Sequence, residues 1–297
     1  MLKRIGAYWN KPSKAAYLFL FPSLITLFLF AVIPLCGAII IGFMDLDIYF
    51  SKSGFAGFNN FIKALTDERF WNALKNTAVF ALIEVPLQIL IGLLVANAVA
   101  TTSFFSKFSR TIFFLPVVCS MAAVGIMWSI LFDGTIGFIP YVLKQIGIEG
   151  LAFFRDPKMA MGTVISMTVW KNFGYTMSIL VVGIQSISTS YYEAAKIDGA
   201  SKLNRFFYIT IPCLAPNLGF CLITNLIGSL QVFDQVYVTT QGGPQYKTET
   251  LVQYIYKTGF SHPFELGYAS SMSVLLLIFI LLLSFPLYKK VFMQKEM

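Results

Sequence analysis

The sequence predicts an all-α integral membrane protein with six transmembrane helices, on three observations. Its 297 residues are 57% hydrophobic and 12% charged, with a mean hydropathy of +0.73, where a soluble domain carries about 25% charged residues. Six apolar segments reach the roughly 20 residues that cross a bilayer: 16–44, 77–100, 111–132, 160–187, 214–238 and 267–288. Between the fourth and fifth lies a charged stretch at 193–212, EAAKIDGASKLNRFFYITIP, which is rich in helix formers and belongs in water.

Segment one follows Lys3, Arg4, Lys11 and Lys14. It is too long for a signal-peptide core of 7–15 residues and no A-x-A-like site follows it, so it is expected to stay in the membrane. Bulky Leu35 before Cys36 argues against a lipoprotein site. Segment two carries Glu84 two residues before Pro86. The third is the shortest, but Phe113 to Phe132 suffices, and the fourth holds Trp170 and Lys171. The fifth holds Asn225, Gly228 and Ser229, with Asp234 and Gln235 toward its end. Lys289, Lys290 and Lys295 close the sixth.

Three longer loops, 45–76, 133–159 and 239–266, alternate with short basic ones. With the N-terminus inside, the inner pieces hold twelve cations against Glu193, Asp198 and Glu296, while the outer pieces hold nine of each sign. That split obeys the positive-inside rule and sets both termini in the cytoplasm. The net charge of +8 is thus a topology signal and not a nucleic-acid footprint. The expected organisation is a cytoplasmic segment at 1–15, one membrane domain at 16–292 and a cytoplasmic tail at 293–297. Phe70, Trp71 and Trp128 suit an outer interfacial belt.

Within the charged stretch, Glu193, Ala194 and Ala195 open a helical run and Gly199 is the expected turn. Ser201 to Tyr208 should start a second short helix, closed by Pro212. Polar residues inside the membrane are costly and hence functional candidates. Lys171 and Tyr175 are four apart on one helix face, as are Asn225 and Ser229, with Gly228 leaving room beside them. Glu84 joins these, either as a cavity residue or as a partner for backbone freed at Pro86. Trp170 reads as a packing aromatic. Cys36, Cys119, Cys213 and Cys221 lack metal or disulfide spacing and read as small buried hydrophobes, and His262 has no second ligand nearby.

The spacing Glu-Ala-Ala, three residues, Gly, nine residues, then Ile209-Thr210-Ile211-Pro212 resembles the EAA loop of ABC-importer permeases, with Ile211 where that pattern has Leu. Gly57-Phe58-Asn59-Asn60-Phe61, Phe70-Trp71, Phe114-Leu115-Pro116, Trp170-Lys171, Gly174-Tyr175, Phe233-Asp234, the Thr240 to Pro244 stretch and Gly267-Tyr268-Ala269-Ser270 resemble the carbohydrate-importer branch that serves multiple sugars and glycerol 3-phosphate. The resemblance implies a type I importer permease fold, with the EAA loop at 188–212 between helices four and five. It assigns Glu193, Ala194, Ala195, Asp198 and Gly199 to a coupling helix seated in an ATPase. It also implies a substrate path lined mainly from the helices flanking that loop, where Tyr175, Asn225, Gly228 and Ser229 match, with Lys171 and Glu84 as further candidates.

The implied partners are a second homologous permease, two ATPase subunits, an extracytoplasmic solute-binding protein, a carbohydrate or polyol phosphate, and membrane lipid. No G-x-x-x-x-G-K-[ST] loop is present, so ATP and magnesium are expected on the partner ATPases and no cofactor on this chain. No catalytic triad or paired-acid constellation occurs, so an enzyme is not expected. An ion-coupled secondary transporter is the alternative. It needs intramembrane carboxylates, for which Glu84 and Asp234 would serve, but leaves the 193–212 segment without a role.

Overall fold

The computed structural model describes residues 12–51, 53–262 and 264–292. The basic residues expected inside at Lys3, Arg4, Lys11 and Lys295, together with Glu296, lie outside the described residues. Two compact units are present, residues up to 66 with 255–275, and residues 67–254 with those from 276 onward.

In the first unit, α1 (Pro12–Leu27) continues through a π-helical turn (Phe28–Val32) into α2 (Ile33–Gly42). None of the most apolar stretch of Phe19–Gly42 is buried within the chain, as suits a helix that faces lipid or another subunit. A short antiparallel hairpin follows, β1 (Met44–Leu46) on β2 (Ser53–Phe55), with Met44 opposite Phe55 and Leu46 opposite Ser53. It is tied to α3 (Asn59–Thr66) by Asn60, whose amide donates to the carbonyls of Gly42 at 3.1 Å and Met44 at 2.8 Å. Phe43 packs edge-on to Phe58 and against Phe61, which explains the local force of the Gly57 to Phe61 stretch.

The second unit is built on α4 (Glu68–Val99), whose Asp67 cap accepts the Arg69 amide at 2.8 Å. It packs along α8 (Ala160–Ser186) through two apolar clusters, one around Phe80, Val164 and Val232 and the other around Leu93, Met177 and Leu180. Between them in sequence come α5 (Phe104–Val118), α6 (Met121–Leu131) and α7 (Phe138–Gln145). After α8 come α9 (Thr189–Ile197), α10 (Lys202–Arg205), a second π-helical turn (Phe206–Thr210), α11 (Ile211–Cys213), α12 (Ala215–Leu230) and α13 (Asp234–Thr239). Finally α14 (Leu251–Phe260) and α15 (Leu266–Phe292) run across the division between the units along the chain.

Three helical runs among the described residues are long and apolar enough to cross a membrane, Phe19–Gly42, Glu68–Val99 and Leu266–Val291, and five if each of two bent pairs is one span. The expected segment 160–187 is the 27-residue α8, about 40 Å long at 1.5 Å per residue but diluted by Lys171, Asn172 and Gln185. The expected span 111–132 is not one straight helix. It begins earlier, at Phe104, and bends by 94° between α5 and α6. Pro116 deprives the last turn of a donor, and Cys119 and Ser120 are both extended, with ψ of 144° and 137°. The expected span 214–238 likewise breaks after Leu230, and its start bends by 67° from the helix that precedes it.

Pro212 ends the second helical run to within one residue: the run stops at Cys213 and bends by 67° into α12. A π-helical turn lies just before it, where the Ile211 amide reaches back five residues to the Phe206 carbonyl. The same device precedes Pro34, where the Ile33 amide bonds the Phe28 carbonyl. Widening the turn shifts the hydrogen-bond register before the residue that has no N–H, so at Pro34 the helix continues to Gly42 without a break.

Candidate functional site

The charged segment folds as helix, turn, helix. α9 starts at Thr189, four residues before Glu193, because Ser188 takes an extended conformation there. Its end is a Schellman-type stop: the Gly199 amide donates to Lys196 O at 3.2 Å and the Ala200 amide to Ala195 O at 2.8 Å. Gly199 has φ of +76° with nothing within 4 Å of where a Cβ would lie, so its backbone and not crowding demands glycine. Ser201 then caps α10 through the Asn204 amide. Glu193 is exposed, as are Ile197 (87%) and Leu203 (69%), so this projection presents both charge and apolar surface.

A polar cavity of about 320 Å³ lies among α4, α8 and α12. α4 supplies Phe80, Glu84 and Gln88, a stripe at i, i+4 and i+8. α8 supplies Thr168, Asn172 and Tyr175, and α12 supplies Thr224, Asn225, Gly228 and Ser229. Val117 and Gln235 complete the wall. Five of the six path candidates therefore meet: Glu84, Tyr175, Asn225, Gly228 and Ser229.

Lys171 does not join them. It is not among the lining residues; its ammonium donates to the carbonyl of Val117, a residue of the wall, at 3.2 Å. The i, i+4 pairing with Tyr175 is correct as helix geometry, but the cavity stripe on α8 runs through Thr168, Asn172 and Tyr175, one residue out of phase. Ser229 lines the cavity with its hydroxyl already donated to Leu226 O at 3.0 Å. Gly228 faces open space, as room for a ligand requires. Asp234 is exposed, whereas its neighbour Gln235 lines the cavity.

The node that orders the wall was not visible in the sequence. Thr176 Oγ1 accepts from Gln88 Nε2 at 3.0 Å and from Asn225 Nδ2 at 3.2 Å, joining α4, α8 and α12. Close approach of α4 to α8 makes this possible: a Cβ at Gly92 would lie 2.8 Å from Thr176 Cγ2, so glycine there lets the two helices meet at Thr176. Glu84 is 3% exposed, and its carboxyl has no hydrogen-bond or ion-pair partner among the described residues, at Pro86 or elsewhere. The Asn172 and Gln235 amides and the Tyr175 hydroxyl are likewise unengaged there.

Residues 240–254 are locked to the start of α4. Arg69 forms a bidentate pair with Glu249, Nε to Oε2 at 2.8 Å and Nη2 to Oε1 at 2.7 Å, with Glu249 fully buried. The guanidinium also lies 4.3 Å from the Tyr246 ring centroid. Asn76 donates to the carbonyls of Tyr246 and Glu249, and Thr77 accepts the Leu251 amide at 2.9 Å. In the 133–159 loop, Thr135 and Ile136 hydrogen bonds and the Arg155 charge hold the Asp133 carboxyl at a pKa of about 2. Trp170 packs 5.8 Å from Trp128. Of the cysteines only Cys221 is buried; Cys36, Cys119 and Cys213 are exposed on the chain, and none is in a disulfide. Their residue type alone did not separate the chain's interior from a surface that meets lipid or another subunit.

Over residues 88–293 the sequence matches the family described as binding-protein-dependent transport system inner membrane component, and the chain belongs to that family. It is 34% identical over 279 residues to the probable ABC transporter permease protein YurN of Bacillus subtilis (strain 168), covering 93% of this chain and 95% of that protein. It is also 34% identical over 277 residues to the lactose transport system permease protein LacF of Rhizobium radiobacter, covering 91% of each. Its fold is similar to a chain in the crystal structure of a bacterial alginate ABC transporter in complex with an alginate pentasaccharide-bound periplasmic protein. The TM-score is 0.80 at 24% identity, over 94% of this chain and 95% of that one. The protein is a membrane-embedded transport permease.

Proposed function

We propose that this chain is one of two homologous permease subunits of an ATP-driven importer. It forms part of the path for a sugar, oligosaccharide or related polyol phosphate delivered by an extracytoplasmic binding protein. The reading adopts six spans with both termini cytoplasmic, α5 with α6 and α12 with α13 each acting as one interrupted span. α9 and its Gly199 turn seat in an ATPase subunit, which holds ATP and magnesium. Glu193 pairs with a basic group there, and small Ala194 and Ala195 allow close approach.

One observation carries the reading: polar residues from α4, α8 and α12 converge on a cavity with Gly228 open at its wall. Unengaged amide, phenol and carboxyl groups suit sugar hydroxyls, and the Tyr175 ring offers a face for their C–H side. ATP binding would draw two such projections together and tip the helices around the cavity. Uptake of the ligand identified for the cognate binding protein tests this. Tyr175→Phe or Asn225→Ala should slow it several-fold, as loss of one hydrogen bond in a desolvated site costs about 1–3 kcal/mol. Gly228→Leu should stop it by filling the space. Unchanged uptake in all three variants would assign the path to the partner permease.

A further inference from the structure

The charge of the cavity wall narrows the kind of ligand it receives. Among the described residues its lining contains one carboxyl side chain, Glu84, and no lysine, arginine or histidine. The basic residue nearest in sequence, Lys171, is turned to the Val117 carbonyl and is itself 8% exposed. The groups left unengaged toward the cavity are the Glu84 carboxyl, the Asn172 and Gln235 amides and the Tyr175 hydroxyl. Amides and phenol both donate and accept, and a carboxylate accepts strongly, which is the complement of hydroxyls that do both. Among the described residues, a phosphate or uronate entering here would meet no cationic side chain in the lining, since the Lys171 ammonium is engaged by the Val117 carbonyl, and its desolvation would be poorly compensated. Beside an ionised Glu84 it would also be repelled.

We propose that this wall selects against anions and receives an uncharged, hydroxyl-rich ligand, with Glu84 accepting hydroxyl hydrogen bonds and setting the charge preference. The inference rests on the cavity's being this chain's share of the path. It narrows the ligand from sugars and polyol phosphates to neutral glycans.

The test uses the assembled transporter with Gly228→Cys in a background without the native cysteines, because that thiol would stand in open space. Its reaction rates with 2-hydroxyethyl and 2-sulfonatoethyl methanethiosulfonate are each normalised to a free thiol in solution. The anionic reagent should react roughly tenfold more slowly than the neutral one, the scale of a like charge at close range in partly desolvated surroundings. Glu84→Gln should abolish most of that difference, and Glu84→Lys should reverse it. Equal normalised rates, or a Glu84→Gln variant that keeps the difference, would overturn the role given to Glu84 while leaving the path reading in place. A thiol inert to both reagents would remove the path reading itself. The ligand that co-purifies with the cognate binding protein should be uncharged, and a phosphate or carboxylate on it would also overturn the inference.

Discussion

Thr176→Val removes the acceptor shared by Gln88 and Asn225 while keeping the side chain's size. Val differs from Thr by a methyl in place of the hydroxyl, so no cavity opens and the effect isolates polarity. Gln88 lines the cavity but is only 3% exposed, so water reaches its stranded Nε2 less readily and the loss should cost about 1–3 kcal/mol. Asn225 is half-buried beside the cavity, where water can replace the lost partner, and it should add less than about 1 kcal/mol. At about 2–4 °C per kcal/mol for a domain of this size, the apparent unfolding midpoint in detergent should fall by roughly 2–16 °C. Adding Gln88→Leu should recover most of the loss, because removing both partners leaves nothing unpaired. A double variant no better than Thr176→Val alone would refute the assignment of the node's energy to that hydrogen bond.

Other consequences follow from the same geometry. Glu193→Lys or Gly199→Trp should abolish uptake and ATPase co-purification while leaving membrane insertion intact, since one reverses a pairing charge and the other puts a bulky residue where φ is +76°. Glu249→Gln should destabilise the chain by about 3 kcal/mol, the low end for breaking a buried pair because Arg69 is 37% exposed; thermal unfolding in detergent checks it. Single cysteines at 60 and 247 should react with an impermeant maleimide added outside whole cells, and reaction only from the cytoplasmic side would invert the topology.

What the sequence disclosed depended on the range of the interaction. The turn at Gly199 was legible because an αL stop after a run of helix formers is local, and so was the start of a second short helix at Ser201. Hydropathy located α15 and the end of α4 well, because length and apolarity decide those runs. It missed the first nine residues of α4, which are more polar and were expected in a loop. It could not see the bend at Cys119 and Ser120, where two extended residues interrupt an apolar stretch without changing its composition. Nor could it foresee that a π-helical turn would carry the helix past Pro34. The cavity was legible residue by residue on α12, where spacing along one helix suffices. It failed by one position on α8, because which stripe faces the other helices depends on how they rotate. The Gln88, Thr176 and Asn225 node was hidden, since its members are 88 and 49 residues apart along the chain and no local periodicity links them.

The central claim, that this cavity opens alternately to the two sides under the control of the α9 projection, is tested most directly at one thiol. Gly228→Cys in the reconstituted complex, with an impermeant maleimide on one side at a time, reports which side the cavity faces. The account predicts reaction from the cytoplasmic side at rest and from the opposite side once ATP and vanadate hold the ATPases closed, with the switch lost in Gly199→Trp. A thiol whose accessibility is the same in both states, in a complex that still hydrolyses ATP and transports, would contradict it.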